Sequence, residues 1–287
     1  MPAKTLSHAS HPPLAIIGFG NMGHAILTGG VAAGVLDVAK VVVAELDDSK
    51  REAALRIGVL GAFAKPSEAL AALIALDGGT GYGQVLLAVK PQMLASATGD
   101  LGAIMQDRVV ISILAGTPSD AVRMALGGAV RVVRVMPNLP AGIGAGATAI
   151  ARGAGTTRED AAFATTLFRG VGPLVIELDE DLMDAFTAIA GSGPAYLFYL
   201  AEAMVNAAIA TGMMPEQAAS IVRQTLLGAA DLLSRSPDAP GVFRAAVTSK
   251  GGTTAAAVAV LEDAGVMQTI EAAIIAARDR GRELAGS

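Results

Sequence analysis

Apolar and polar positions fall into two textures along this chain. In the first half, short runs rich in Val, Ile and Leu stand at Leu14–Phe19, Val41–Glu45, Gln84–Val89, Val109–Ile113, Val130–Val135 and Pro173–Glu177. They are nearly continuous rather than alternating, which is the pattern of parallel strands covered on both faces. Between them lie alanine-rich stretches of helical character at Met22–Ala33, Asp48–Ile57 and Gln92–Met105. Strands alternating with helices predict right-handed βαβ units and a doubly wound α/β sheet. After about Leu178 the β-branched runs stop, and alanine, leucine and methionine recur with helical spacing. Asp181–Thr211 reads as one long helix or a helix pair hinged at Gly191-Ser192-Gly193-Pro194. Pro215 suits the first position of a helix that reaches about Ser234. Val266, Ile270, Ile274 and Ala277 form one stripe of a last helix. The expected organisation is a flexible leader over 1–13, a sheet-bearing domain over 14–178 and an all-helical domain over 179–287.

Composition sharpens this picture by exclusion. Of the 287 residues, 53% are apolar and 16% charged, ample for a buried core and incompatible with general disorder. A formal net charge of −5 argues against a nucleic-acid or anionic-membrane binder. There is no cysteine, which removes disulfides, thiolate metal sites, iron–sulfur clusters and cysteine nucleophiles. Only three histidines occur, and His8 and His11 fall in the leader, so no metal site is expected. The leader lacks an apolar signal-peptide core. The uncharged run Ala185–Ala201 is interrupted by the Gly-Ser-Gly-Pro turn, whereas a membrane span needs about 20 apolar residues. It reads as a buried helix of a soluble, cytoplasmic protein. The helices of the second half are apolar around much of their circumference, which points to cover by a partner subunit.

The strongest local motif is Gly18-Phe19-Gly20-Asn21-Met22-Gly23, which follows the first strand and opens a helix. That is the setting of the dinucleotide fingerprint. Gly18 permits the tight turn, Gly20 lets the backbone approach a pyrophosphate, and Gly23 lets helix and strand pack closely. The helix N-terminus then presents its amides and partial positive charge to the phosphates. A nucleotide-free glycine turn or a methyltransferase shares this topology. Glu45, at the end of the second strand, can accept hydrogen bonds from a ribose 2′-hydroxyl and would repel a 2′-phosphate, which favours NAD over NADP. Lys50 and Arg51 nearby are the counter-argument, since either could neutralise that phosphate.

Two further loops follow strand ends, where doubly wound sheets place their ligands. Ala88-Val89-Lys90-Pro91 offers Lys90 to a cofactor phosphate or ribose. Arg134 to Pro140 offers Asn138 to the nicotinamide or ribose. In the helical half, Val247-Thr248-Ser249-Lys250-Gly251-Gly252-Thr253-Thr254 precedes a helical run over Ala255–Glu262. Thr253 or Thr254 would cap that helix, and the free amides after Gly251 would form an anion nest beside the Lys250 charge. A small substrate's carboxylate is the natural occupant.

In order along the chain, Gly18–Ile26, Ala88–Gln92, Ser112–Gly116, Val135–Pro140, Gly191–Tyr196 and Ser249–Thr254 resemble the motifs of pyrroline-5-carboxylate reductases. The resemblance runs from about Leu14 to the last helix. It implies an N-terminal Rossmann-type domain and a C-terminal helical domain that intertwines with a second subunit, giving a homodimer or a higher oligomer of dimers. It implies hydride transfer from NAD(P)H to the C=N carbon of 1-pyrroline-5-carboxylate, giving L-proline. It also implies that the Gly251-Gly252-Thr253-Thr254 amides hold the substrate carboxylate and that the Thr254 hydroxyl lies near the ring nitrogen. Reducing an imine needs alignment more than a strong acid or base, so the sparse inventory of His and Cys is no obstacle. The chain departs from the family at Lys250, where proline is usual, at Leu139 for Thr, at Ala245 for Asp, and at Glu45. Two other readings remain beside it. One is a related cyclic-imine reductase or β-hydroxyacid-type dehydrogenase, the latter dependent on a helical-domain lysine; the other is a non-catalytic dinucleotide sensor.

Overall fold

The computed structural model describes residues 11–99, 101–105 and 107–285. Strands β1 (Leu14–Ile17), β2 (Val41–Ala44), β3 (Gly61–Phe63), β4 (Gln84–Leu87), β5 (Val109–Ser112), β6 (Arg131–Met136), β7 (Ala147–Arg152) and β8 (Leu174–Glu177) form one sheet. Its order is β3-β2-β1-β4-β5-β6-β7-β8. β1 to β6 run parallel, β7 lies antiparallel to β6, and β8 is parallel to β7. Helices α1 (Asn21–Ala32), α2 (Asp48–Ile57), α3 (Pro66–Leu76), α4 (Leu94–Thr98), α5 (Ser119–Ala125) and α6 (Arg158–Arg169) fill the connections.

The continuous apolar runs are explained by cover on both faces. Leu14, Ile16, Val41, Val43, Leu86, Ile111 and Val133 pack with Ile26 and Leu27 of α1 and Leu167 and Phe168 of α6. Their neighbours Ala15, Ile17, Val42, Val85, Leu87 and Val110 pack on the opposite face with Leu70 and Leu73 of α3. At the foot of the sheet the fully buried Asp77 carboxylate meets Arg108 at 2.5 Å and accepts from the Gly83 and Gly79 amides. Burial pushes that carboxyl upward, but the Arg108 and amide bonds outweigh it and hold Asp77 below the usual carboxylate range.

Three expectations need correction. The stretch Gln92–Met105 is not one helix. A 3₁₀ turn at Pro91–Met93 leads into the short α4, and a second 3₁₀ turn follows at Gly102–Ile104. A side chain at Gly102 would press on the Leu126 backbone at 3.4 Å, so this glycine marks a close crossing, and helical propensity yields to it. Of the leader, 1–10 lies outside the described residues, while its end is not flexible. Pro12 and Pro13 are buried, Pro13 accepts from the Gln84 amide at 2.9 Å, and the His11 ring stacks on Phe163. Strands β3 and β7 stand outside the predicted runs because the first is too short and the second, Ala-Thr-Ala-Ile-Ala-Arg, is largely alanine. Partners in the sheet make them strands, not intrinsic preference.

Beyond β8 the chain is helical: α7 (Met183–Phe186), a π-helical turn (Thr187–Gly191), α8 (Gly193–Ala210), α9 (Pro215–Ser234), α10 (Pro240–Ala246), α11 (Thr253–Asp263) and α12 (Val266–Ala285). The predicted break in Asp181–Thr211 falls at Ser192. The start of this segment is tied to the sheet by Arg134 of β6, which is 5% exposed. Its guanidinium meets Glu180 at 3.4 Å and Asp184 at 3.3 Å, and Glu180 also accepts from the Ser119 amide and hydroxyl at 2.6 Å. The chain accordingly divides into two compact units, one reaching to Gly191 and resuming at Ala277, the other Ser192–Ala276. The contact boundary thus lies later than the expected 178/179, because Arg134 and its partners draw the first helical residues onto the sheet.

Within Ser192–Ala276 only Ala218 and Val222 are buried. α8 has no buried residue, and Leu197, Phe198 and Tyr199 are 56%, 60% and 78% exposed. The helix expected to be buried is therefore bare in the single chain. An unsheathed apolar surface of this kind marks an association face. No helix among the described residues is long and apolar enough to cross a membrane.

Candidate functional site

The crevice opens where the strand order reverses, between β1 and β4, at their carboxyl ends. Each fingerprint glycine has a separate physical reason there. Gly18 sits at φ +94°, and a Cβ on it would lie 2.8 Å from the Ala88 and Val89 backbone. A Cβ on Gly23 would lie 2.6 Å from the Gly18 carbonyl oxygen, so the helix can approach the strand only without one. At Gly20, the N-cap of α1, a Cβ would meet nothing within 4 Å: this position faces open space. The amides of Gly20, Asn21 and Met22 have no partner among the described residues. A bare helix N-terminus behind an open glycine is a cradle for a pyrophosphate.

Glu45 lies across this turn. Its carboxylate accepts from the Phe19 amide at 2.7 Å and from the Asp47 amide at 3.2 Å, which pins it at the rim of the crevice. Arg51 is committed to the Glu45 and Leu46 carbonyls at 2.7 and 2.8 Å and to the Asp48 carboxylate. Lys50 is exposed, and its charge and backbone amide bear on the neighbouring Asp47 carboxylate. A cleft of about 390 Å³ is lined by Gly18, Gly20, Glu45, Lys50, Ala88, Val89 and Lys90. A second hollow of about 370 Å³ takes Phe19, Asn21, His24 and the other side of Lys50. Most expected cofactor residues are thus brought together. Pro91 opens the 3₁₀ turn beside Lys90, Gly23 acts through packing, and Met22 is half-buried on α1.

Asn138 corrects its expectation. It is 8% exposed; its Oδ1 accepts from the Ala147 amide at 2.9 Å and its Nδ2 donates to the Ala190 carbonyl at 3.1 Å. The carboxamide joins the β6 loop to β7 and to the π-turn instead of facing a nicotinamide. Lining residues outside the sequence-based set include Leu46, Pro66, Met93, Ser96 and Ala97. The only signal for them was position after a strand end, and with β3 unread the loop that carries Pro66 could not be placed.

The helical unit carries the other expected loop. Gly251 sits at φ +74°, a left-handed turn, and a Cβ on Gly252 would collide with the Ser249 hydroxyl. Gly252 is the N-cap of α11 in extended conformation, with no side-chain cap. Thr253 and Thr254 are therefore the first residues inside the helix and not its caps, a second correction. The Gly252 amide is engaged with the Ser249 carbonyl at 3.0 Å, so it is unavailable to an anion. The Thr253, Thr254 and Ala255 amides have no partner among the described residues. Thr254 is half-buried, while Ser249, Lys250 and Thr253 are exposed. The nest expected after Gly251 is accordingly built one residue further on. Among the described residues no cluster of His, Asp or Glu could hold a metal.

A parallel sheet reversing its order at a glycine-rich crevice, followed by helices that leave their apolar faces bare, defines a dinucleotide-binding oxidoreductase with a helical dimerisation domain. Residues 180–284 match the family model for pyrroline-5-carboxylate reductase dimerisation, and residues 13–116 match that for coenzyme F420-dependent NADP oxidoreductase. The pyrroline-5-carboxylate reductase of Arabidopsis thaliana is 35% identical over 272 residues, covering 94% of this chain and 95% of that protein. The solved structure of a pyrroline-5-carboxylate reductase from Coxiella burnetii superposes with a TM-score of 0.84 at 32% identity, covering 96% of this chain and 99% of that one. The NADP-bound Plasmodium falciparum pyrroline carboxylate reductase shares the fold, with a TM-score of 0.78 at 23% identity, covering 94% and 97%. The chain belongs to the pyrroline-5-carboxylate reductase family. Its bare helical faces are those of a homo-oligomer.

Proposed function

We infer that the chain catalyses the NAD(P)H-dependent reduction of 1-pyrroline-5-carboxylate to L-proline, in the cytoplasm. The carrying observation is the bare head of α11, three unpartnered amides behind a left-handed glycine, in a chain that also holds a dinucleotide cradle. The cradle fits a dinucleotide: Gly20 faces open space and three amides at the head of α1 await an acceptor. A bound dihydronicotinamide supplies the hydride. The residues of the chain bind and orient. The amides of Thr253, Thr254 and Ala255 hold the carboxylate of the substrate, aided by the helix dipole. The Thr254 hydroxyl stands by the ring nitrogen, where the proton must reside for the C=N carbon to accept a hydride. Ser249 and Gly251 shape the loop, and Lys250 draws the anion towards it.

NADH is the preferred donor in this reading. The Glu45 carboxylate, held by the Phe19 and Asp47 amides, accepts from ribose hydroxyls and repels a 2′-phosphate. Lys50 is the cation that a 2′-phosphate would use instead. The test is oxidation of NADH and of NADPH in the presence of 1-pyrroline-5-carboxylate, followed spectrophotometrically with proline measured as product. Turnover with NADH and stoichiometric proline is expected. Absence of proline with either donor would refute the activity, and a preference for NADPH would refute the role of Glu45.

A further inference from the structure

We propose that Asn138 is a positioning residue for hydride transfer, acting by clamping the π-helical turn Thr187–Gly191 to the carboxyl end of β6. The proposal rests on the reading that the chain reduces an imine with a bound nicotinamide. A π-turn, with its i→i+5 pattern, is a rare, locally underwound form that mostly interrupts α-helices and recurs at functional sites. Here the turn is held by β6 and the loop that follows it. Asn138, two residues past the end of β6, donates from Nδ2 to the Ala190 carbonyl at 3.1 Å. Its Oδ1 accepts from the Ala147 amide at 2.9 Å, so the side chain cannot swing away without breaking a second bond. Met136, the last residue of β6, lies against the same turn: a Cβ on Gly191 would fall 2.8 Å from its Cε. Arg134, on the same strand, holds the beginning of the segment through Asp184 at 3.3 Å and Glu180 at 3.4 Å.

The place of this clamp gives it meaning. The β6 loop stands at the edge of the sheet where doubly wound folds gather their ligands. The chain leaves the sheet-bearing unit at Gly191, directly after the clamped carbonyl. A hydride acceptor must meet its donor at close range and fixed angle, and displacements of about 1 Å can lower a rate by about 100-fold. A buried carboxamide that ties the last turn of the cofactor unit to the strand end fixes where that unit hands over to the helices. Asn138 touches neither cofactor nor substrate in this proposal.

The experiment uses the full-length oligomer with Asn138→Ala and Asn138→Asp, measuring kcat, KM, the NADH dissociation constant by NADH fluorescence, and Tm. Asn138→Asp keeps the acceptor for the Ala147 amide, but an ionised carboxylate cannot donate to Ala190, whereas a protonated one can. Both variants should lose about tenfold or more in kcat near pH 8 with NADH affinity within about twofold of the parent. The kcat of Asn138→Asp relative to wild type should then rise severalfold as the pH falls to about 5.5, as the introduced carboxyl, pushed up by burial and the facing Ala190 carbonyl against the opposing Ala147 amide, takes up a proton. Asn138→Ala should show no such recovery. Unchanged kcat in both variants would overturn the proposal. So would a tenfold weaker NADH affinity with full turnover at saturation, since Asn138 would then be a cofactor ligand. A pH-independent ratio for Asn138→Asp would overturn it as well. If Asn138→Ala fails to fold, the pH profile of the near-isosteric Asn138→Asp decides alone. Lack of turnover in the wild-type protein would instead remove the imine-reductase reading itself.

Discussion

The two glycine loops of this protein look alike in sequence and are held by different forces. The β1–α1 loop is fixed from outside. A Cβ on Gly18 or Gly23 would fall 2.8 or 2.6 Å from backbone atoms, and Glu45 reaches from the neighbouring strand to hold the Phe19 amide. The loop before α11 is fixed from within. Its left-handed glycine and the Gly252–Ser249 hydrogen bond are local, and a Cβ on Gly251 would meet nothing within 4 Å. The first loop belongs to a unit that supplies its own core. The second belongs to a unit with two buried residues, whose apolar cover comes from another copy of the chain. In the first loop Gly18 and Gly23 admit no added atom because backbone surrounds them. In the second the demand for glycine is local, from the left-handed φ of Gly251 and the Ser249 hydroxyl beside Gly252, and the loop expresses its chemistry through charge and exposed amides.

Substitution at Gly18 should therefore do the most damage. Gly18→Ala would force a side chain into positive φ, at roughly 1–2 kcal/mol, and onto backbone that has no flexible end to yield. We expect Tm to fall by several degrees and NADH affinity to weaken at least about tenfold. Thermal melts and NADH titration check this. Parent-like values for both would break the contrast between packed and open loops.

Thr254→Ala comes next, because the other loop can change without moving its surroundings. Turnover should fall about tenfold, the equivalent of one lost hydrogen bond in the reacting complex, with NADH binding nearly intact. A variant that loses NADH binding and keeps full turnover at saturation would reverse the assignment of the two loops.

Glu45→Ser sharpens the comparison on the cofactor side. Two like charges about 4 Å apart repel by about 4 kcal/mol at an effective dielectric of 20, and less where solvent screens them. The ratio of NADPH to NADH dissociation constants should fall towards unity. An unaltered ratio would shift attention to Lys50.

The smallest effect is expected at Lys250. An exposed cation at the rim of an open loop is worth at most ~1 kcal/mol to an approaching anion. Lys250→Ala should raise KM for the substrate by roughly threefold to fivefold, more at low ionic strength, with little change in kcat. A KM that is identical in both proteins and independent of salt would mean that the side chain only replaces the usual proline.

Much of this was legible in the residues. The continuous runs at Leu14, Val41, Gln84 and Val109 became adjacent parallel strands because two-sided burial leaves no polar alternation. Asp48–Ile57 and Pro215–Ser234 formed as helices over the expected ranges, the second with Pro215 at its first position, while the Asp47 cap of the first came from the structure. Gly18, Gly20 and Gly23 took the turn, the open approach and the close packing their spacing implied. Other features were beyond the reach of local pattern. β7 is an alanine-rich segment made extended by its neighbours β6 and β8. Thr253 and Thr254 entered the helix because the chain reaches α11 through an extended Gly252.

The sequence by itself determined the class of fold, the order of its motifs and the sites where an anion can meet free amides. These depend on backbone freedom at glycine and on the periodicity of apolar residues, both written locally. Only the tertiary structure decided that Asn138 binds Ala147 and Ala190, nine and 52 residues away, and that Glu45 closes on Phe19 across 26. A polar side chain becomes a ligand or a clamp according to which groups remain unpaired around it once the chain has folded, and that pairing is set in space and not along the sequence.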